Sequence, residues 1–304
     1  MIAGSARDAA DSLRMAGFRG SLLTDSPLAP YTTWRIGGPA ELLAAPADRA
    51  DLLVAAEWAA AHAIRWRVLG NGSNLLVSDA GVSGLVLRLR DALGDVAHEG
   101  RRIIAGAGAS FPAVARRAAA LGLSGLEFGA GIPGTIGGAI VMNAGWHEFE
   151  IGATVESVEF LDAAGVVRTL TRDDCLFGYR SSRFRSYAGV VLGATLALET
   201  GDLREVRARL ERFASSRKAN QPTELPSCGS VFLKPAGDFA GRLIEAAGLK
   251  GLRVGGVEVS RKHANFFVNV GGATAADVLT LVERVEQEIL QRFGVGLERE
   301  FELW

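Results

Sequence analysis

Apolar and polar residues recur along this chain with two periods. Helical spacing, with apolar positions three or four residues apart, predicts helices at 5–16, 48–63, 111–121, 202–217, 239–247 and 275–293. The last is the longest, apolar at Val278, Leu281, Val282, Val285, Ile289 and Phe293. Asp48 and Ser110 stand where N-caps are needed, and Pro112 falls in a first turn that tolerates proline. Gly17, Gly122 and Gly248 stop their helices. Extended patterning predicts strands at Trp66–Leu69, 84–90, 101–107, 189–199, 253–259 and 266–270, and a hairpin of 154–161 with 165–170. At the end of the chain, alternation sets Glu298, Glu300 and Glu302 against Leu297, Arg299, Phe301 and Leu303. Such an acidic face ordinarily meets solvent. Strands and helices do not alternate regularly, so 40–200 reads as α+β rather than doubly wound.

Glycine interrupts this pattern in a way that suggests chemistry. Six glycines fall between Gly129 and Gly145. Residues without a Cβ let a ligand approach the backbone, and successive amides in such turns form anion-binding concavities. Pro133 stiffens the stretch and Thr135 adds a hydroxyl, so it reads as a wall for a large phosphorylated ligand. Gly129, Gly131 and Gly134 form a G-x-G-x-x-G, but no clear buried strand precedes it, so it is not a dinucleotide fingerprint of the doubly wound kind. A second dense turn, Gly70-Asn71-Gly72-Ser73-Asn74, offers amides and polar side chains to a pyrophosphate, or simply closes an Asn-Gly hairpin. A third lies at 106–108.

Composition narrows the field. A chain of 304 residues that is 48 % hydrophobic calls for about two or three domains with sizeable cores. A net charge of −1 gives no broad basic surface for nucleic acid. Cys175 and Cys228 lack metal-ligand spacing, no metal site is expected, and a reducing compartment fits. No apolar run is long enough to span a bilayer, and 1–25 does not read as a signal peptide. A cytoplasmic protein is expected. Arg180, Arg183 and Arg185, set among Tyr179, Ser181, Ser182 and Phe184, suit an anionic ligand or a solvated basic loop. Arg35 before Gly37-Gly38 suits a phosphate or a surface turn. Ser230 enters an apolar run with no histidine relay near it, so a hydrolase nucleophile is not indicated.

Together these stretches resemble the UDP-N-acetylenolpyruvoylglucosamine reductase family. Eight motifs stand in the family's order from about Thr32 to the end. They are Thr33–Gly38, Leu69–Leu76, Gly131–Gly138, Asn143–Gly145, Tyr179–Ser182, Gly229–Phe232, His263–Phe266 and Leu297–Glu300. The resemblance implies an FAD-binding domain of the vanillyl-alcohol-oxidase type plus a C-terminal α+β substrate domain. It implies an FAD region over 1–200, with subdomains about 1–90 and 91–200, and a substrate region over 201–304. Gly70, Asn71, Gly72, Ser73, Asn74, Gly129, Gly131, Ile132, Pro133, Gly134, Thr135, Gly137, Gly138 and Asn143 would lie with the FAD. NADPH would reduce the flavin, and a UDP-sugar enolpyruvyl ether would then accept hydride. Arg180 and Glu300 would stabilise the resulting charge, and Ser230 would protonate the adjacent carbon. Tyr179, Lys218, Lys234 and His263 would meet the substrate.

Two departures are specific. Leu233-Lys234-Pro235 follows Gly-Ser-Val-Phe where the family often has other polar residues, and the chain after Tyr179 lacks the tyrosine-bearing insertion. The second feature resembles the short form of the family. A monomer is expected. The competing expectations are another FAD oxidase of the superfamily and a non-catalytic nucleotide-sugar binder.

Overall fold

The computed structural model describes Ile2, 5–90 and 92–304. The chain forms two compact units that do not follow chain order. The first holds Met1–Asp25, Glu41–Asn71 and Ser83–Ser216, and the second holds Ser26–Ala40, Gly72–Val82 and Arg217–Trp304.

The first unit is built on two sheets. One orders its strands Ser21–Pro27, Pro39–Ala45, Val82–Arg88 and Trp66–Leu69, the last two parallel. The other is antiparallel, in the order Val167–Thr171, Val155–Asp162, Gly189–Ala197, Arg102–Gly106 and Val96–Glu99. The hairpin expected of 154–161 with 165–170 forms, and Leu161 pairs with Val167. Helices Arg49–Ala61 and Phe111–Ala120 bury Leu52, Ala55, Trp58, Phe111, Val114 and Ala118 in the core of this unit. Asp48 caps its helix by accepting from the amide of Asp51 at 2.9 Å. Ser110 occupies the N-cap position but makes no capping hydrogen bond, so the expected hydroxyl cap is corrected. The start of that helix is held instead by the amide of Phe111 bonding the Gly134 carbonyl at 3.0 Å.

The second unit packs helices Ala240–Ala246 and Ala275–Phe293 with a small antiparallel sheet, Arg253–Val254, Val257–Val259 and Phe267–Asn269. The single strand expected over 253–259 is thus two strands, because Gly255-Gly256 reverses the chain and Gly255 takes φ +51°. Helix Ala275–Phe293 buries Val278, Leu281, Val282, Val285 and Ile289, and Asp79 accepts from the amides of Ala275 and Ala276 at 2.8 and 3.0 Å. Trp34, Ile36 and Leu76 join this core from the two early segments. Trp34 is fully buried, and its indole N–H bonds the Phe267 carbonyl at 2.9 Å. No helix among the described residues is long and apolar enough to cross a membrane.

Candidate active site

The 70–74 turn is not a hairpin. The strand before it pairs in parallel with Val82–Arg88, while Leu75–Leu76 pairs in parallel with Glu302–Leu303. The chain passes from one unit to the other at Asn71–Gly72. Among the described residues, none of the five amides of 70–74 donates to a protein acceptor. Gly72 lies at φ +56°, and a Cβ there would come 2.5 Å from the Tyr31 carbonyl oxygen. Its own carbonyl accepts from the Thr33 amide at 3.1 Å. Asn71, Ser73 and Asn74 are half-buried, so the turn combines unclaimed amides with polar side chains. Such a run suits a diphosphate without any lysine.

The 129–138 stretch works differently. The side-chain space at Gly129 is filled by Phe111, at Gly131 by Trp146 and at Gly137 by Ala107. The close approach there is between protein segments. Phe128, Trp146, Phe149 and Phe213 stack into one aromatic group behind it. The amides of Ile136 and Gly137 bond the carbonyls of Ala109 and Ala107 at 2.9 and 2.8 Å, and Gly138 bonds Thr135 Oγ1 at 3.4 Å. This segment therefore forms a shaped wall in which the amides of Gly129, Ile132, Ile136, Gly137 and Gly138 bond within the protein. Thr135 is buried, and its hydroxyl stands where a Gly70 side chain would be, at 2.7 Å. Asn143 is also buried, at φ +42°. Its Nδ2 donates to Glu150 Oε2 at 2.8 Å and to the Gly178 carbonyl at 2.9 Å, and its Oδ1 accepts from the Gly152 amide at 2.9 Å. The side chain is committed to protein and ties together two segments, 150–152 and the one at Gly178.

One of those segments leads to Arg180. This residue takes φ +50°, a left-handed conformation that is costly away from glycine. Its guanidinium lies 5.5 Å from the centroid of the exposed Tyr179 ring and donates to the Gly145 carbonyl at 3.0 Å. The Ser182 hydroxyl, buried, fixes the loop by donating to the Val141 carbonyl at 2.7 Å. The arginine is thus presented on a pinned turn.

In the second unit, Ser230 begins a short extended run held on both edges. On one edge, Val231 N–H bonds the Asn265 carbonyl at 2.8 Å. The buried Asn265 side chain accepts from Phe232 N–H at 3.0 Å and donates to the Phe232 carbonyl at 2.8 Å. On the other edge, Glu300 N–H bonds the Val231 carbonyl and Leu233 N–H bonds the Glu298 carbonyl, both at 2.8 Å. Ser230 and Glu300 therefore stand on adjacent antiparallel segments. Asn74 Nδ2 donates to the Glu300 carbonyl at 3.1 Å, and the Glu302 amide returns to the Asn74 carbonyl at 2.9 Å. The end of the amide-rich turn is thereby registered to the acidic segment. The sequence places Asn265 in a motif but does not give its pairing with Phe232 or this second use of Asn74, because both depend on contacts across long stretches of chain.

The remaining expected residues fall nearby or on the surface of the same unit. His263 Nδ1 accepts from the Asn265 amide at 3.3 Å, and its ring meets Phe266 edge-on at 4.8 Å. Burial, and secondarily the Lys250 charge, push its pKa below the usual histidine value. Lys234 Nζ sits 4.5 Å from the centroid of the exposed Phe239 ring. Lys218 is exposed near the end of helix Leu203–Asn220, and its carbonyl accepts from Lys262 Nζ at 2.7 Å. Cys228 is buried, which raises its pKa well above the usual thiol value, and Glu300 raises it further. It stays a thiol.

Comparison with known proteins is decisive at this point. Residues 40–171 match an FAD binding domain, and 221–304 match the C-terminal domain of UDP-N-acetylenolpyruvoylglucosamine reductase. The reductase of Moorella thermoacetica is 47 % identical over 288 residues, covering 95 % of both chains. That of Rubrobacter xylanophilus is 47 % identical over 277 residues, covering 91 % of this chain and 93 % of its own. The crystal structure of the Thermus caldophilus reductase superposes with a TM-score of 0.81 at 39 % identity, covering 94 % of this chain and 99 % of its own.

Proposed function

The chain belongs to the UDP-N-acetylenolpyruvoylglucosamine reductase family, and from that premise we propose how its own residues divide the reaction. It is an FAD-dependent oxidoreductase that reduces the enolpyruvyl ether of the UDP-sugar in peptidoglycan precursor synthesis. The residues present suit FAD. A diphosphate needs several hydrogen-bond donors in a short arc, and the five unclaimed amides of 70–74 supply them. FAD, when bound, supplies the hydride, drawn from NADPH. The wall at 129–138 gives the cofactor a preformed surface, with Thr135 and Asn143 holding its shape.

Arg180 meets the charge that develops over the substrate carboxylate. A fixed guanidinium placed before reaction is worth more there than a mobile one, because it need not reorganise. Ser230 donates a proton to the carbon that bears the ether oxygen. Glu300 assists there protonated or hydrogen-bonded, since a bare carboxylate would repel the developing charge. Tyr179, and in the second unit Lys218, Lys234 and His263, are assigned to substrate contact, with His263 neutral. The enzyme works in the cytoplasm, as a monomer.

The observation that carries this reading is the bond from Glu300 N–H to the Val231 carbonyl, 2.8 Å long, which sets Glu300 beside the segment that begins at Ser230. The test separates the two halves of the cycle. In Ser230→Ala, flavin reduction by NADPH is expected to proceed at the native rate. Reoxidation of the reduced flavin by substrate is expected to slow roughly 10²- to 10⁴-fold, the range for a lost general acid. Equal reoxidation rates would remove Ser230 from the chemistry.

A further inference from the structure

The glycine-rich turn at 106–108 has no part in the reaction as proposed, and its packing leads to an arginine. A Cβ on Gly106 would lie 2.3 Å from the Leu93 carbonyl oxygen, and one on Gly108 would lie 2.1 Å from that of Leu89. The Gly108 amide donates to the Leu93 carbonyl at 2.8 Å. These two glycines are therefore the seat of the backbone that follows strand Val82–Arg88, and a side chain at either would push it away.

That backbone carries Arg90 to the start of the amide-rich turn. Strands Trp66–Leu69 and Val82–Arg88 are parallel, with Leu69 opposite Arg88, so both leave the sheet at the same end. The Leu89 amide still bonds the Leu69 carbonyl at 3.1 Å, and the Leu89 side chain is buried. Arg90 comes next and is exposed, and its Nη1 donates to Asn71 Oδ1 at 3.4 Å. Both residues belong to the first unit. A bond of that length is weak and readily exchanged. Among the described residues, no carboxylate pairs with this guanidinium. In the same unit Arg19, Arg49 and Arg102 hold Asp48, Glu159 and Glu156 at 2.6, 2.8 and 2.7 Å.

A diphosphate carries full negative charge, which backbone amides answer only with dipoles. Arginine adds a permanent positive charge and a planar fork that suits phosphate oxygens. One hydrogen bond from Asn71, the Arg90 guanidinium lies inside the roughly 10 Å over which charges act in 0.1 M salt. We propose that Arg90 is the cationic contact for the FAD diphosphate, with the turn at 106–108 as its seat. The inference rests on the reading of 70–74 as the diphosphate site. Arg90 holds the cofactor in this role and takes no part in hydride or proton transfer.

The test uses serial dilution of the holoenzyme, with released FAD read by its fluorescence. In Arg90→Gln the FAD dissociation constant is expected to rise between about tenfold and about a hundredfold, the usual worth of a charge-assisted hydrogen bond. Salt should weaken FAD binding to the native protein by screening the contact, and should weaken binding to Arg90→Gln less steeply. Arg90→Lys keeps the charge and loses the fork, so its affinity should lie between the two, with the native salt slope. An unchanged constant in Arg90→Gln would overturn the proposal. So would a raised constant with the native salt slope, because that pattern marks a structural role. Gly72→Ala separates this proposal from the reading beneath it. Ready loss of flavin from Gly72→Ala, beside native affinity in Arg90→Gln, would leave the turn standing and remove only the arginine. Native affinity in Gly72→Ala would remove the diphosphate site and the proposal with it.

Discussion

His263 shows how position, more than identity, decides what a side chain does. Burial and the nearby Lys250 charge hold its pKa below 6.5, with a backbone hydrogen bond and, less, Glu245 acting the other way. Below that pH the unfolded chain binds a proton that the native state resists. Stability from this group is therefore complete above about pH 6.5 and declines as pH falls through the window down to the lowered native value. Thermal midpoints measured from pH 7 to pH 5 should fall, and in His263→Gln this part of the slope should disappear. An unchanged slope would show that other groups set it. Cys228 carries the same lesson. A thiol is a nucleophile only as thiolate, and burial, with Glu300 beside it, raises the Cys228 pKa well above the usual value. Pairings such as Asn265 with Phe232 were not legible, because no local pattern states which amide will lie against which backbone 33 residues away.

Regular elements were legible where their own periodicity decides them. The helix expected at 275–293 is Ala275–Phe293, and the hairpin expected of 154–161 with 165–170 forms as Val155–Asp162 with Val167–Thr171, because each pattern is long and continuous. Helix Ile136–Met142 was not foreseen. It contains Gly137 and Gly138, poor helix formers, and it is held by outside partners such as the Ala107 and Ala109 carbonyls. Strand Leu75–Leu76 was hidden for a similar reason, since its partner is Glu302–Leu303. The turn before that strand gives the clearest test at this scale. Gly72→Ala places a Cβ against the Tyr31 carbonyl and imposes a left-handed φ on an L-residue. A loss of about 1–3 kcal/mol in stability is expected, with weaker retention of flavin during dialysis. Tight flavin in a stable Gly72→Ala protein would count against the turn as the diphosphate site.

For the whole molecule, the informative fact is that the second unit is assembled from three pieces of chain. Its core includes Trp34, Ile36 and Leu76 as well as residues after 217. Trp34 packs edge-on against Phe301 at 5.6 Å and bonds Phe267, so it stands at the centre of the unit. A fragment of 217–304 would expose the surface that Trp34 and Ile36 cover, and Glu302–Leu303 would lose its partner strand. Circular-dichroism melting of that fragment should show no cooperative transition, although 221–304 matches a family domain on its own. A sharp transition would mean that the early segments are accessories.

This three-piece assembly also limits how such a gene can be shuffled. A crossover near codon 217 would bring in a foreign helix Ala275–Phe293 and a foreign final strand. The tryptophan, isoleucine and leucine that complete their core would still come from the original parent. The chimera would inherit a mismatched interior even if each parent were sound. Inheritance of this unit is therefore all or nothing across almost the full reading frame, and compensating changes at Phe267 or Phe301 would have to arise together with changes at Trp34.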